Sequence, residues 1–316
     1  MLHYIVRRLF IAIPVLLGIT ILNFCIVNLA PGNPVDMFID PNTPQQLVEA
    51  KKEMLGLNDP LIIQYFKWLW QLLQGGFGYS FSSFAPVTHI IGERIGPTLM
   101  LTSISLTLGL LIAIPIGILS AVKQNTRFDY IITGLSFIWT SIPQFFLGLG
   151  LIYLFALHFK ILPTGGMLTI GGDANFADRI KHLILPVSVL TIAIIGKKIR
   201  YVRASMLDVL KQDYLRTARA KGLHAFIVTN KHALRNALIP IITVFGMEIP
   251  LLLGGSIIIE QIFQWPGIGQ LTMQSILSRD YPTLMGLNFI AAIIVLATNL
   301  FMDILYFVAD PRVKYN

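Results

Sequence analysis

The chain has 316 residues, 55% of them hydrophobic and only 13% charged, and its mean hydropathy is +0.71. A water-soluble domain carries about 25% charged residues, so a soluble enzyme or carrier is excluded and lipid is the natural solvent. The formal net charge of +8 does not mark a nucleic-acid partner, because the basic residues fall in loops between apolar runs.

In chain order, Arg7-Arg8-Leu9-Phe10 opens the first apolar run, Leu9–Leu29. Paired arginines before an apolar stretch resemble a twin-arginine export signal, and Asn28-Leu29-Ala30 weakly resembles a cleavage site. A secretory core of about 7–15 apolar residues is shorter than this run, which reads as an uncleaved first span. Cys25 lies inside it; as the single cysteine it offers no disulfide and reads as a small core residue.

Residues 30–96 form the largest segment between spans. Pro44–Leu55 alternates Gln45, Glu49 and Lys52 with Leu47, Val48 and Leu55, and reads as an amphipathic helix. Asp59–Leu73 reads as a second, with Tyr65, Phe66, Trp68, Leu69 and Trp70. Such aromatics favour the water–lipid boundary, although an ordinary packed subdomain fits the pattern equally. Gly75-Gly76-Phe77-Gly78 reads as a turn.

A spanning helix needs about 20 mostly apolar residues. Pro97–Val122 and Ile131–Leu157 meet this without charge, Ala237–Ile259 contains Glu248, and Leu284–Ala309 contains Asp303. Leu183–Gly196 is short enough to be re-entrant. Loop charge decides for a span: with six spans and an inside N-terminus, segments 1–8, 123–130, 197–236 and 310–316 hold 16 Lys and Arg, against 8 in the outside segments 30–96, 158–182 and 260–283. Without that span, the most basic segment would lie outside, against the positive-inside rule. The expected spans are 9–29, 97–122, 131–157, 183–203, 237–259 and 284–309, with both termini cytoplasmic. The fourth is extended by Lys197 and Lys198 snorkelling toward headgroups.

Catalytic signatures are missing. No G-x-x-x-x-G-K-[ST] occurs, since Gly196-Lys197-Lys198 lacks the upstream glycine and the Ser or Thr of a phosphate loop. No H-E-x-x-H or G-x-S-x-G occurs, and the histidines lack metal-ligand spacing. An enzyme and a metal site are therefore not expected. Among intramembrane polar residues, Glu248 either lines a translocation path or pairs with a polar neighbour, and Gln144 and Asn288 are further path candidates. Asn23, Asn28, Gln144, Asn288 and Asn299 suit helix–helix hydrogen bonding better than cargo binding, and Asp303 sits near a span end.

The segment 197–236 carries most information. Asp213-Tyr214-Leu215-Arg216-Thr217-Ala218-Arg219-Ala220-Lys221-Gly222-Leu223 is followed by His232-Ala233-Leu234-Arg235-Asn236-Ala237-Leu238-Ile239-Pro240. A helix, a glycine stop, a second short helix and a proline entering a span make a rigid projection. Ala218, Ala220 and Gly222 leave room for another protein surface, though a basic loop that merely solvates one membrane face has the same composition.

This stretch resembles the coupling loop of ATP-binding-cassette importer permeases, in the form of the dipeptide/oligopeptide/nickel branch. Further blocks resemble the B-type permease of that branch: Arg7-Arg8-Leu9 with Pro14–Gly18 and Ala30-Pro31-Gly32-Asn33-Pro34; Gly76-Phe77-Gly78-Tyr79-Ser80 with Pro86-Val87; and Phe263-Gln264-Trp265-Pro266-Gly267-Ile268-Gly269 with Arg279-Asp280-Tyr281-Pro282. Aligned on Gly222, Arg216 replaces the loop's usual glutamate, Thr217 its first alanine, and Leu234-Arg235 its Leu-Pro.

The resemblance implies an all-α membrane protein with the six-helix type I importer permease (MetI-like) fold, in the bacterial cytoplasmic membrane. It implies a cytoplasmic coupling loop at 204–236, a coupling helix around Thr217–Val228, and contact with the ATPase through Arg216, Thr217, Ala218, Arg219, Ala220, Lys221, Gly222 and Leu223. Implied partners are a homologous C-type permease, two ATPase subunits that hold ATP and Mg, and an extracytoplasmic solute-binding protein. This chain would hold no cofactor. Peptide import is the expected function, with nickel chelates or glutathione-like solutes as alternative cargo. An ion-coupled secondary transporter, the rival reading, calls for inverted repeats and discontinuous helices around an ion site, and the sequence displays neither.

Overall fold

A computed structural model describes residues 2–29, 44–54, 56–169, 171, 175–250 and 256–309. Ala30-Pro31-Gly32-Asn33-Pro34 and the C-terminal 310–316 lie outside the described residues. Every regular element described is helical: α1 Leu2–Leu29, α2 Gln45–Met54, α3 Leu61–Leu73, α4 Val87–Val122, α5 Arg127–Ser141, α6 Gln144–Leu151, α7 Phe176–Leu210, α8 Asp213–Ala220, α9 Ala225–Ile227, α10 Leu234–Gly246, α11 Ile257–Ile262, α12 Ile268–Leu277 and α13 Tyr281–Ala309. Wider π-type turns prolong α6 over Ile152–His158 and join α9 to α10 over Val228–Ala233.

Among the described residues, five helical stretches are long and apolar enough to cross a membrane: Val6–Leu29, Val87–Val122, Phe176–Leu210, Ala225–Pro250 and Tyr281–Tyr306. The expected span 131–157 is instead a broken pair, α5 and α6 with its π extension, bent by 94°. Pro143 is the cause. It cannot continue the hydrogen-bond ladder and forces the preceding residue out of the helical region; Ile142 accordingly has φ −78 and ψ 120. Counted as one span, the pair brings the total to six.

The doubtful run Leu183–Gly196 belongs to the 35-residue α7, and 61% of its most apolar window is buried, against 6% for α1. It reads as short only because Asp178, Arg179 and Lys181 precede it and Lys197 follows it; the backbone helix ignores the change in polarity. The segment 237–259 is helical through α10, with 251–255 outside the described residues.

The chain divides into two compact units. One comprises residues 1–98 and 266–296. Its small core holds Val87, Ile91, Leu271 and Leu287. Asp280, just before α13, accepts hydrogen bonds from Ser80 Oγ at 2.5 Å, the Phe81 amide at 2.9 Å and Thr283 Oγ1 at 2.7 Å, so the Gly78–Pro86 loop is fastened there. The Ile268 amide, which α12 leaves without a helical acceptor, donates to Thr98 Oγ1 at 2.7 Å. Cys25 is exposed on α1, not in a core, and α1 has few neighbours within this chain.

The other unit comprises residues 99–265 and 297–316. Its core is built on α7, through Leu190, Ile194, Ile199, Val202 and Met206, with Leu215, Val228, Ala233, Ala237 and Ile241. Asn175 caps α7 by accepting from the Asp178 amide at 2.8 Å. His182 Nδ1 faces the carbonyls of Gly165 and Gly166 at 2.9 and 3.1 Å, holding that loop to α7.

Candidate functional site

The projecting segment begins where α7 ends. Leu215 and Ala218 of α8 are buried in the core beside Met206, Val228 and Ala233. Their spacing of three fixes the helix face that points inward, and leaves Arg216, Thr217, Arg219, Ala220 and Lys221 exposed. Ala218 therefore does not belong to the approach surface with Ala220, as the sequence had suggested. α8 is also tied to α10 by Asn236 Nδ2, which donates to Tyr214 Oη at 2.6 Å.

Gly222 ends α8 with φ +77, in the left-handed region that a side chain enters only under strain. The Gly222 amide donates to Arg219 O at 2.9 Å and the Leu223 amide to Ala218 O at 3.4 Å, the paired bonds of a Schellman stop. Chain direction then reverses, and His224 Nδ1 accepts from the Phe226 amide at 3.3 Å to start α9. Across Thr217–Val228 the chain therefore forms α8, the Gly222 turn and α9. The turn exposes Leu223, Phe226 and Ile227 beside the basic residues. Phe226 and Ile227 were not singled out from sequence, although large apolar residues in a basic loop outside the spans are a readable sign of a partner surface.

The intramembrane acid has a partner. Glu248 Oε1 lies 2.5 Å from Lys198 Nζ, and the two residues are only 8% and 4% exposed. Lys198 also donates to Val244 O at 2.8 Å and stands 5.8 Å from the ring centroids of Tyr201 and Phe245. The expectation that Lys198 snorkels to headgroups is corrected: its ammonium turns into the bundle because a buried carboxylate and a carbonyl satisfy it there, while Lys197 is exposed.

Gln144, half-buried, opens α6 next to the Pro143 bend. Asn288 is half-buried on α13 within the other unit. Asn28 donates to Phe24 O at 2.9 Å within its own helix, and Asn299 is exposed.

A second ionic contact, unremarked in the sequence, fixes the α4–α5 turn to α7. Arg203 Nε and Nη2 donate to both oxygens of buried Asp129 at 2.6 and 2.7 Å, and Ser120 Oγ donates to Asp129 Oδ1 at 2.5 Å. This two-pronged geometry suits arginine's planar fork.

Comparison with known proteins is consistent with this arrangement. Residues 113–315 match the family described as binding-protein-dependent transport system inner membrane component, and residues 1–102 match the N-terminal region described for such components. The chain is 48% identical to the oligopeptide transport system permease protein AppB of Bacillus subtilis, over 99% of both chains. It is 36% identical to the dipeptide transport system permease protein DppB of Escherichia coli K12, covering 100% of this chain and 99% of the relative. Identity to the glutathione transport system permease protein GsiC of Salmonella paratyphi A is 38%, over 100% of both. Among solved structures, a chain of the inward-facing MetNI methionine ABC transporter aligns with TM-score 0.59 at 17% identity, covering 70% of this chain and 97% of that one; at that identity the likeness speaks for fold alone.

Proposed function

The chain belongs to the family of binding-protein-dependent transport system inner membrane components, and on that premise we propose that it is the B-type permease subunit through which an ATP-driven importer carries peptides into the cell. It is a multi-pass, all-α membrane protein of the type I importer permease fold, and a translocation subunit with no catalytic role. The observation that carries the cargo class is the end-to-end likeness to the oligopeptide and dipeptide permeases.

In this reading the α8–Gly222–α9 projection seats against an ATPase subunit through Arg216, Thr217, Arg219, Ala220, Lys221, Gly222 and Leu223, with Phe226 adding apolar contact. Ala218 acts from beneath, by packing α8 onto the core. The assembly contains a homologous C-type permease, two ATPase subunits that bind ATP and Mg, and an extracytoplasmic solute-binding protein. Closure of the ATPases shifts the projection and switches the permease pair between inward- and outward-facing states, whose affinities for cargo must differ for the switch to do work. Both termini face the cytoplasm, and Glu248, Gln144 and Asn288 are the residues proposed along the path.

The likeness to the glutathione permease favours a second cargo, a glutathione-like tripeptide. Both are tested in proteoliposomes holding the permease pair, ATPases and binding protein, with labelled dipeptide, pentapeptide and glutathione. ATP-dependent peptide uptake is expected. Uptake driven by a cation gradient in vesicles holding this chain alone would overturn the reading.

A further inference from the structure

The surface of α3 falls into three strips. One, with Tyr65, Trp68 and Leu72, turns toward its own unit: Trp68 is buried, Tyr65 Oη lies 3.0 Å from Thr20 Oγ1, and the Tyr65 ring meets Phe24 edge-on with centroids 5.4 Å apart. A second is polar, with Gln64, Lys67 and Gln71, and Lys67 Nζ stands 2.6 Å from Asp59. The third holds Ile62, Phe66, Trp70 and Leu73, which are 72%, 60%, 64% and 74% exposed. Their spacing of i, i+4, i+8 and i+11 makes one continuous apolar stripe.

The contacts with α1 set the depth of that stripe. Thr20 precedes Leu29, the end of the first span, by nine residues, which at 1.5 Å per residue is about 13 Å along the helix. A tyrosine side chain is shorter than this distance, so the backbone of α3 lies below the end of the apolar stretch of α1. At the same height α1 exposes Leu22 and Ile26, which flank Phe24 on a span that has few neighbours within this chain. The α3 stripe continues that exposed apolar surface, while Lys67 and its neighbours supply an edge able to meet headgroups or water.

We infer that α3 is a submerged amphipathic helix of the outer leaflet, with Ile62, Phe66, Trp70 and Leu73 in contact with lipid acyl chains. The naming of the leaflet rests on the topology proposed above; the lipid contact does not. Submerged in this way, α3 gives the segment between the first two spans a fixed seat in the bilayer.

The test uses the assembled importer in phosphatidylcholine–phosphatidylglycerol vesicles. In a Cys25→Ala background, nitroxide labels are placed at Phe66→Cys and Trp70→Cys, with Leu22→Cys as the lipid reference and Lys67→Cys as the polar-edge reference. The expected result at both α3 positions is loss of collision with a water-soluble nickel chelate and retention of collision with oxygen, as at position 22. Nickel collision at the level of position 67 would put the stripe in water. Loss of both collisions would put it under another protein chain. Either result overturns the inference, and an inverted topology alters neither reference, so the two proposals fail separately.

Discussion

Removing either charge from the Lys198–Glu248 pair leaves the other stranded among apolar side chains. Loss of one partner of a buried pair costs about 3–5 kcal/mol, whereas replacing both by apolar groups is often close to neutral. Glu248→Gln and Lys198→Met are each expected to lower the detergent-solution melting temperature, and the double variant Lys198→Met/Glu248→Leu to recover most of it. If uptake stays lost in that stabilised double variant, the charges serve the path and not only the fold. At Gly222 the constraint is conformational: nothing stands within 4 Å of an added Cβ, so the penalty comes from φ +77 alone. A left-handed conformation costs a non-glycine residue roughly 1–2 kcal/mol, least for asparagine. Gly222→Val is expected to reach the membrane yet lose ATPase co-purification and uptake, with Gly222→Asn keeping most of both. Normal uptake by Gly222→Val would sink the coupling assignment. Sequence reading reached Gly222 and Glu248 because each breaks a local pattern, a helix stopped by glycine and an acid in an apolar run. It missed the role of Lys198 because a lysine near a span end has two solutions, outward to headgroups or inward to an acid, and only tertiary structure selects one.

Between elements, close approach is set by small residues. On α4, Gly109, Ala113, Gly117 and Ala121 recur every fourth residue and face α7. A Cβ at Gly117 would stand 2.6 Å from Val202 Cβ and 3.0 Å from Ile199 O, and one at Gly109 would stand 2.7 Å from Ile194 Cγ2. Spacing of this kind lets helices pack backbone to backbone in lipid, where apolar surface alone gives no drive to associate. Gly117→Leu is expected to cost about 1–3 kcal/mol through overpacking, read as a lower melting temperature. An unchanged melting temperature would show that the two helices separate freely. Counting the bent pair as one, six spans were legible from hydropathy and loop charge, but their limits were not. α4 and α7 run to 36 and 35 residues, so at 1.5 Å per residue each outreaches a hydrocarbon layer of about 30 Å, and their ends are coded by polar residues that resemble loops. The Pro143 bend was hidden for the opposite reason, since an apolar run stays apolar through a break.

At the scale of the whole molecule, the distribution of charge predicts how the chain is oriented. The 16 Lys and Arg of the proposed inner segments outnumber the 8 of the outer ones, and ten of the 16 lie in residues 197–236, from within α7 into the start of α10. Such a bias fixes orientation because cationic loops are held on the cytoplasmic side during insertion. Gln212 lies just before α8 and Gln45 opens α2; both are exposed, so each reports the side of the membrane without disturbing a core. Because Cys25 is itself exposed, it must first become alanine or it will contribute its own signal. In intact cells, an impermeant maleimide is expected to label Gln45→Cys and to spare Gln212→Cys until the membrane is opened. The reverse pattern would invert the topology, place the α8–Gly222–α9 projection outside the cell, and remove it from any ATPase that uses cytoplasmic ATP. That one measurement joins the charge count to the coupling role: the projection can take up force from ATP only if the basic side of the chain is the inner side.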